Sequence, residues 1–261
     1  MLREDVCWGE KMRDAVVCPD GSRIRWVEIS GGEPARVCVH GAGAQSAAYF
    51  THVMTLPPLA GRRTLMVDLL GFGLSDRPAD FAYRIEDHAE ALGAALDSAG
   101  VTGAEVIGHS MGGAVSIVLA GQRPDLVSRL VLAEPVLDPV PPPAPGAIGV
   151  TSFSEAEFAA DGMAQILAQV GPLWAATMRL AGPAALHRSA FGLRAGTSPT
   201  TRKLLMELPI PRTLMVGSLS QPLTGRSELE AAGVRVVTIP DAGHNIMLDN
   251  PDAFADQAAE R

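Results

Sequence analysis

The fold is decided by the segment AEVIGHSMGGAVSIVLAGQ, residues 104–122. Its apolar start is typical of a buried strand and its end of a helix, and GHSMG at 108–112 between them fits the pattern G-x-S-x-G. A sharp turn from strand to helix forces the central serine into a strained backbone, and the flanking glycines remove side chains that would collide there. The segment therefore predicts Ser110 as a nucleophile at the carboxyl end of a strand.

Outward from this segment, short apolar runs alternate with helical patterns along the chain. Continuous apolar strands separated by helices indicate a mostly parallel sheet that is covered on both faces. Residues 14–30 differ, because Pro19-Asp20-Gly21 separates two strand patterns and indicates an antiparallel hairpin. Together these patterns predict an α/β fold with a mostly parallel eight-stranded sheet. The six further strands are ARVCVH (35–40), RTLMVDL (63–69), AEVIGHS (104–110), RLVLAE (129–134), RTLMVGS (212–218) and VRVVTIP (234–240).

A helical insertion is predicted after the sixth strand. The Pro-rich run at 138–145 cannot pair in a central strand, and helical patterns follow it. We therefore predict a helical cap over 136–206, inserted into a core formed by 1–135 and 207–261. Ser154 and Glu157 match a capping box, which predicts a helix from Glu155. Stop signals followed by proline indicate three more helix starts, at Gly171-Pro172, Gly182-Pro183 and Ser198-Pro199.

Composition excludes several classes of protein. With 261 residues, of which 47% are hydrophobic, the chain can bury a large core. A net charge of -8 and the lack of a Lys/Arg run argue against nucleic acid as a partner. Cys7, Cys18 and Cys38 form an odd set without metal-ligand spacing, so we expect reduced thiols and no metal site.

The sequence carries no signal for secretion or for a membrane. The first fourteen residues, MLREDVCWGEKMRD, hold too many charges for a signal peptide, and no apolar run approaches the ~20 residues that span a bilayer. We therefore expect a cytoplasmic protein that acts on a small molecule and has no membrane partner. The sequence is silent on the oligomeric state, and a homodimer is compatible with it.

A serine hydroxyl needs a base within hydrogen-bond reach before it can act as a nucleophile. His244 lies in the loop DAGHN, residues 241–245, just after the last predicted strand. That loop would emerge at the same sheet edge as Ser110, which makes His244 the candidate base. His88 falls in a helical pattern over 83–100 and is expected at the surface. His187, in the predicted cap, is a candidate for contact with substrate.

Taken together, these motifs resemble those of the α/β-hydrolase superfamily over nearly the whole chain. The resemblance rests on HGAG at 40–43, DLLGFGLS at 68–75, GHSMG at 108–112 and AGH at 242–244. It implies an α/β-hydrolase fold with flanking helices and a cap. It also implies that the backbone N–H groups of Ala42 and Met111 form the oxyanion hole, where each donor would be worth roughly 2.7–4 kcal/mol.

The third member of the predicted triad departs from the usual pattern of that superfamily. The acid usually follows strand seven in a Gly-x-x-Asp segment, whereas residues 217–220 read GSLS. A neutral hydroxyl cannot balance the charge of an imidazolium. Glu134, at the end of strand six, is the predicted acid, in a position that resembles some haloalkane dehalogenases and zearalenone-type lactonases. Asp138 is the alternative, and Asp241 is too close to His244 in sequence.

These residues favour hydrolysis of a carboxylic ester or lactone through an acyl-enzyme, a reaction that needs no cofactor. A carbon-carbon bond hydrolase and a cofactor-free haloperoxidase-like enzyme use the same serine and histidine on this scaffold, so both stay open. A receptor that keeps the hydrolase shell to bind a small ligand is a third alternative. Dehalogenases and epoxide hydrolases of this fold use an aspartate nucleophile, so Ser110 argues against both.

The class of substrate is predicted from the cap. Some cap side chains must roof the cleft above Ser110, because ligands bind at the carboxyl edge of open α/β sheets. Packing between cap and core produces the same apolar spacing. Most candidates are apolar, which with the net charge of -8 predicts a neutral, largely apolar substrate. The predicted substrate-binding residues are Phe153, Phe158, Leu173, Trp174, Met178 and His187.

Overall fold

Eight strands form one sheet in the computed structural model, which describes residues 13–260. In chain order they are β1 (Arg13–Val16), β2 (Arg23–Ile29), β3 (Gly32–Val39), β4 (Arg62–Asp68), β5 (Ala104–His109), β6 (Val127–Ala133), β7 (Arg212–Gly217) and β8 (Arg235–Ile239). Across the sheet the order is β1-β2-β4-β3-β5-β6-β7-β8. β2 pairs antiparallel with β1 and β4, and the other neighbouring pairs are parallel. The predicted mostly parallel sheet and its N-terminal hairpin are confirmed.

Helices cover both faces of this sheet. They are α1 (Ser46–Thr55), α2 (Ile85–Ser98), α3 (Met111–Gln122), α4 (Glu155–Glu157), α5 (Met163–Gln169), α6 (Pro172–Met178), α7 (Pro183–Ala195), α8 (Thr201–Glu207), α9 (Arg226–Ala231), α10 (Ile246–Asp249) and α11 (Pro251–Ala259). Successive side chains along a strand point to opposite faces of the sheet, so each strand contributes side chains to two hydrophobic cores. Cys38 and Ile107 pack with α1, α10 and α11, whereas Val37 and Val106 pack with α2 and α3.

The described residues allow the cysteines, the helices and any metal-binding groups to be compared with the expectations from composition. Residues 1–12, which include Cys7 and most of the charged N-terminal stretch, lie outside them. Cys18 and Cys38 are free thiols. Among the helices of residues 13–260, none has the length and apolar character needed to cross a membrane. The same residues contain no group of three or more His, Cys, Asp or Glu side chains that could hold a metal ion.

Between β6 and β7 the chain leaves the sheet and forms the helices α4 to α8. Helix α4 begins at Glu155 as predicted, because the Ser154 hydroxyl accepts the Glu157 N–H while the Glu157 carboxylate accepts the Ser154 N–H. A π-helical turn then continues into α5. Helices α6 and α7 begin at Pro172 and Pro183, also as predicted. The division of the chain into core and cap at residues 136 and 206 stays a prediction.

The predicted helix start at Ser198-Pro199 is wrong. Helix α8 begins at Thr201, two residues later. Thr200 is its N-cap residue, and the Thr200 hydroxyl accepts the N–H of Lys203 at 3.3 Å. A hydroxyl at this position satisfies one of the free N–H groups of the first helical turn.

The expectation that His88 lies at the surface is also wrong. His88 is buried on α2, and its ring centroid lies 5.6 Å from that of Phe81 and 5.8 Å from that of Tyr83. Its Nε2 lies 3.2 Å from Oγ of Ser189 on α7, so a helix from the predicted cap covers this part of α2. Burial lowers the pKa of His88 to about 3. The imidazole is therefore neutral at neutral pH.

We predict that His88 makes the stability of the fold depend on pH. Its pKa is about 3 in the folded protein and about 6.5 in an unfolded chain. Between these values the unfolded chain binds a proton that the folded protein does not, so the free energy of unfolding falls as the pH falls through this window. One such group contributes up to about 1.4 kcal/mol per pH unit.

Urea unfolding of the wild type and of His88→Gln, between about pH 7 and pH 5, measures this slope. His88→Gln should make the slope shallower, whatever its effect on the absolute stability. His52→Gln is the matched control, because His52 is exposed on α1, and it should keep the wild-type slope. Equal slopes for His88→Gln and the wild type would contradict the prediction.

Candidate active site

Ser110 lies in the sharp turn between β5 and α3. Its backbone has φ of 52° and ψ of -118°, a region that residues other than glycine rarely adopt. The turn is held by its own main chain: the Ser110 N–H donates to the carbonyl of Ala133 at 3.0 Å, and the Ser110 carbonyl accepts the N–H of Gly113 at 3.0 Å. The half-buried side chain starts from the carboxyl end of β5, as the sequence predicts for a nucleophile.

The glycines of G-x-S-x-G are required by close backbone approach. A Cβ at Gly108 would lie 2.7 Å from the carbonyl oxygen of Gly112, so β5 and α3 could not approach each other. A Cβ at Gly112 would overlap the carbonyl oxygens of Val39 and His40 at the end of β3. Both positions must therefore lack a side chain.

His244 and Glu134 lie side by side. His244 follows β8 on an exposed loop, and its Nδ1 lies 3.7 Å from Oε2 of Glu134, an ion-pair distance slightly longer than a hydrogen bond. Within residues 13–260 no hydrogen bond joins His244 to the hydroxyl of Ser110. Such bonds are often long before substrate binds and tighten in the reacting complex. The structure thus brings Glu134 to the predicted base, and the roles of all three residues stay predictions.

The position of Glu134 is fixed from its own backbone and from β7. It is the first residue after β6, and its φ of 48° is a left-handed conformation that residues other than glycine rarely adopt. Its Oε1 accepts the N–H of Gly217 at 2.7 Å. Burial raises the pKa of Glu134, but the contacts with His244, the Gly217 N–H and the Ser220 hydroxyl outweigh it and hold the pKa below the ordinary value. Glu134 is therefore an ionised partner for an imidazolium.

Of the rival carboxylates, Asp138 is engaged elsewhere. Asp138 is exposed and pairs with Arg202, with Oδ2 2.6 Å from Nη2. Asp241 precedes the histidine by three residues, and its N–H donates to the Ser218 hydroxyl at 3.0 Å. The geometry therefore supports Glu134 over Asp138 as the acid. Ser220 stands where the resemblance would place the acid. Its hydroxyl helps to lower the pKa of Glu134.

The two predicted oxyanion donors belong to segments next to Ser110. Met111 is the first residue of α3, where helical N–H groups have no partner in the helix. Within the described residues neither the Met111 nor the Ala42 N–H donates to a protein acceptor. A Cβ at Gly41 would lie 3.0 Å from Cβ of Ser110, which shows how closely the loop after β3 approaches the nucleophile.

His40 holds that loop in place through two hydrogen bonds of its ring. The buried His40 imidazole donates from Nδ1 to the Gly41 carbonyl at 2.7 Å and accepts the Leu69 N–H at Nε2, at 3.0 Å. Burial lowers the pKa of His40, so the ring is neutral and can both donate and accept.

Sequence reasoning missed the role of His109. Its Nε2 donates to the carbonyl of His244 at 2.9 Å, and the two ring centroids lie 4.8 Å apart. On its other side the ring stacks on Tyr49 at 5.9 Å. Burial lowers the pKa of His109 to about 3, so it stays neutral and braces the loop that carries the base. Only its place as the first x of G-x-S-x-G could have indicated this role.

The predicted substrate-binding residues fall into two groups. Phe158 and Met178 are fully buried, which gives them a packing role, and Phe153 packs partly buried beside Phe158. His187 is buried, and its Nε2 lies 2.9 Å from the Phe153 carbonyl oxygen. In contrast, Leu173 and Trp174 on α6 are 43% and 39% exposed, so these two are accessible to a ligand. Contact of any of them with substrate stays a prediction.

Comparison with known proteins relates this geometry to a family. A model of the alpha/beta hydrolase family matches residues 37–257. The chain is 36% identical over 116 residues to 2-hydroxymuconate semialdehyde hydrolase of Pseudomonas sp. (strain CF600), which is 43% of this chain and 40% of that protein. It is also 36% identical over 110 residues to haloalkane dehalogenase 2 of Mycobacterium bovis, 42% of this chain and 37% of that protein. The matches thus span less than half the length of these curated relatives.

Similarity to solved structures extends over nearly the whole chain. An esterase from Exiguobacterium antarcticum has a TM-score of 0.73 at 22% identity, covering 94% of this chain and 97% of that one. At this identity the likeness concerns the fold alone. Together with the family match, it confirms the predicted α/β-hydrolase fold.

We predict that Glu134→Gln lowers the turnover of an ester substrate strongly, with a loss that can approach ~10⁴-fold. The amide keeps the shape of the side chain but removes the charge that stabilises a protonated His244. Asp138→Asn is the matched control, because its partner is Arg202 and not the histidine, and it should have a mild effect. Steady-state kinetics of the two variants checks the assignment. Near-normal rates for Glu134→Gln with a collapse for Asp138→Asn would move the acid to Asp138.

Proposed function

The chain belongs to the alpha/beta hydrolase family, and we propose that within it the protein is a serine hydrolase that cleaves a neutral, largely apolar carboxylic ester or lactone. The observation that supports this most is the ionised Glu134 beside His244, next to a serine in a strained elbow. A strained, fixed backbone with an oriented base is the arrangement that nucleophilic catalysis requires.

In the proposed reaction Ser110 Oγ attacks the carbonyl carbon and transfers its proton to Nε2 of His244. The negative oxygen that develops is held by the N–H groups of Ala42 and Met111. The C–O bond of the substrate then breaks and His244 gives the proton to the alcohol oxygen, which departs from an ester and stays joined to the acyl group of a lactone, as the acyl-enzyme forms. A water molecule then gives a proton to His244 and attacks the carbonyl of the acyl-enzyme, after which the bond to Ser110 Oγ breaks, His244 returns the proton to that oxygen and the acid is released. Glu134 keeps the imidazole oriented and stabilises its charge throughout.

The similarity to 2-hydroxymuconate semialdehyde hydrolase supports a second candidate. In this alternative the same serine and histidine act on a semialdehyde of that type, which carries a carboxylate. The similarity to haloalkane dehalogenase 2 is equal in identity, but Ser110 stands where dehalogenases of this fold have aspartate. A non-catalytic receptor on this shell would have no need of the ion pair between Glu134 and His244.

We predict that Ser110→Ala and His244→Ala each remove most ester hydrolysis, by about 10³-fold or more, because the two residues act as a unit. The measurement is a screen of esters and of aromatic and macrocyclic lactones with wild type and both variants side by side. Covalent labelling by a fluorophosphonate should occur in the wild type and be lost in Ser110→Ala. If Ser110→Ala hydrolyses every ester that the wild type does, the proposed nucleophile is wrong.

We also predict a preference for uncharged substrates, because the accessible part of α6 presents Leu173 and Trp174 and the chain carries a net charge of -8. The test is a competition between a neutral aromatic ester and an analogue with a free carboxylate, with 2-hydroxymuconate semialdehyde assayed alongside. The neutral ester should have the higher kcat/KM. A clear preference for either carboxylate would favour the second candidate and a cationic group such as Arg179 at the cleft.

A further inference from the structure

Three successive carbonyls of the loop after β3 are held from two different sides. The Gly41 carbonyl accepts hydrogen bonds from Nδ1 of His40 and from the N–H of Ala44, at 2.7 Å and 3.1 Å, both within the core. The next carbonyl, that of Ala42, accepts the indole N–H of Trp174 at 3.0 Å. The third, that of Gly43, accepts the hydroxyl of Thr177, also at 3.0 Å. Trp174 and Thr177 belong to α6, so the second and third anchors come from the inserted helices.

Helix α6 lies directly against this backbone. Gly43 has φ of 68°, and a Cβ there would lie 3.0 Å from Nε1 of Trp174 and 3.2 Å from Cε of Met178. Thr177 is buried, and its hydroxyl lies closer to the Gly43 carbonyl than to those of its own helix, at 3.2 Å and 3.4 Å. Residues of both the loop and α6 therefore make this contact.

The orientation of the Ala42 N–H depends on both sets of anchors. A peptide unit is planar and trans, so the Ala42 N–H points away from the Gly41 carbonyl of the same unit. The φ and ψ angles of Ala42 are the rotations that relate this unit to the next one, which carries the Ala42 carbonyl. The first unit, which carries the Ala42 N–H, is held at its Gly41 carbonyl by His40 and the Ala44 N–H, and hydrogen bonds at one oxygen leave the unit able to pivot about that atom. Trp174 holds the second unit and so restricts this pivoting.

We propose that Trp174 is a positioning residue of the oxyanion hole: its indole N–H anchors the Ala42 carbonyl and thereby restricts the pivoting of the Ala42 N–H, which is aligned most closely when α6 is docked on the loop. This inference rests on the proposed serine hydrolase function. It differs from a role as substrate roof, in which the ring would contact the bound ester and the indole N–H would have no special importance.

The two roles separate in kinetics. An interaction that acts only in the transition state lowers kcat and kcat/KM together, whereas uniform binding of substrate changes KM alone. Trp174→Phe keeps an aromatic ring at the site and removes only the donor. Trp26→Phe is the matched control, because the indole N–H of Trp26 donates to Glu28 at 3.0 Å on β2, away from the site.

The experiment measures kcat and KM for a neutral aromatic ester and the inhibition constant of phenylboronic acid, which adds to a serine hydroxyl and places a negative oxygen in the hole. A fluorophosphonate titration counts the competent sites, so that a loss of folded protein does not alter the rate per site. In Trp174→Phe we expect kcat to fall and the phenylboronic acid inhibition constant to rise by a common factor of about 10-fold or more, with KM within about 2-fold. Trp26→Phe should match the wild type in all three.

An unchanged kcat with a raised KM in Trp174→Phe would overturn the inference in favour of the roof, and so would rates per site equal to those of Trp26→Phe. Failure of the proposed function is distinct, because the wild type itself would then neither hydrolyse esters nor bind phenylboronic acid.

Discussion

The strained turn at Ser110 is the constraint on which the rest of the site depends. A residue with φ of 52° and ψ of -118° costs on the order of 1–3 kcal/mol and persists only where its surroundings fix it. Here the turn is fixed because Gly108 and Gly112 have no side chains. Their absence lets β5, α3 and the end of β3 approach to backbone contact. The loop with Ala42 leaves β3 at that point. The same close approach that strains the serine therefore also brings the loop with the predicted oxyanion donor Ala42 beside it.

Glu134, the predicted acid, illustrates how a neighbouring strand can supply the carboxylate that the usual loop lacks. β6 lies between β5 and β7, so its first following residue, Glu134, can face the histidine loop and also accept the N–H of Gly217. A serine at 220 adds a further donor instead of a charge. The carboxylate thus has an ion-pair partner in His244 and a hydrogen-bond donor in the Gly217 N–H, and these with the Ser220 hydroxyl outweigh the effect of its partial burial on the pKa. The site thus keeps one carboxylate, which follows β6 instead of β7.

The sequence allowed the sheet, the hairpin, the elbow and the positions of Ser110, His244 and Glu134 to be predicted, because each depends on local patterns or on the order of strand ends. What it could not predict depends on contacts between distant segments. His88 is buried because α7 covers α2, and nothing in the helical pattern of residues 83–100 indicates that cover. The bond from His109 to the carbonyl of His244 likewise joins residues 135 positions apart. Helical spacing could not separate buried Met178 from exposed Trp174 either.

The relatives show why local geometry matters more here than overall similarity. A semialdehyde hydrolase and a haloalkane dehalogenase are each 36% identical to this chain over similar lengths, so the shared residues specify the scaffold and not the chemistry. The chemistry depends on a few positions: the side chain at 110, the strand that carries the acid, and the groups that hold the oxyanion loop. The last of these lie partly on α6, a helix inserted outside the sheet. Under the proposed role of Trp174, this inserted helix also sets the alignment of the Ala42 N–H, so a change in the helix alters the rate of the proposed reaction.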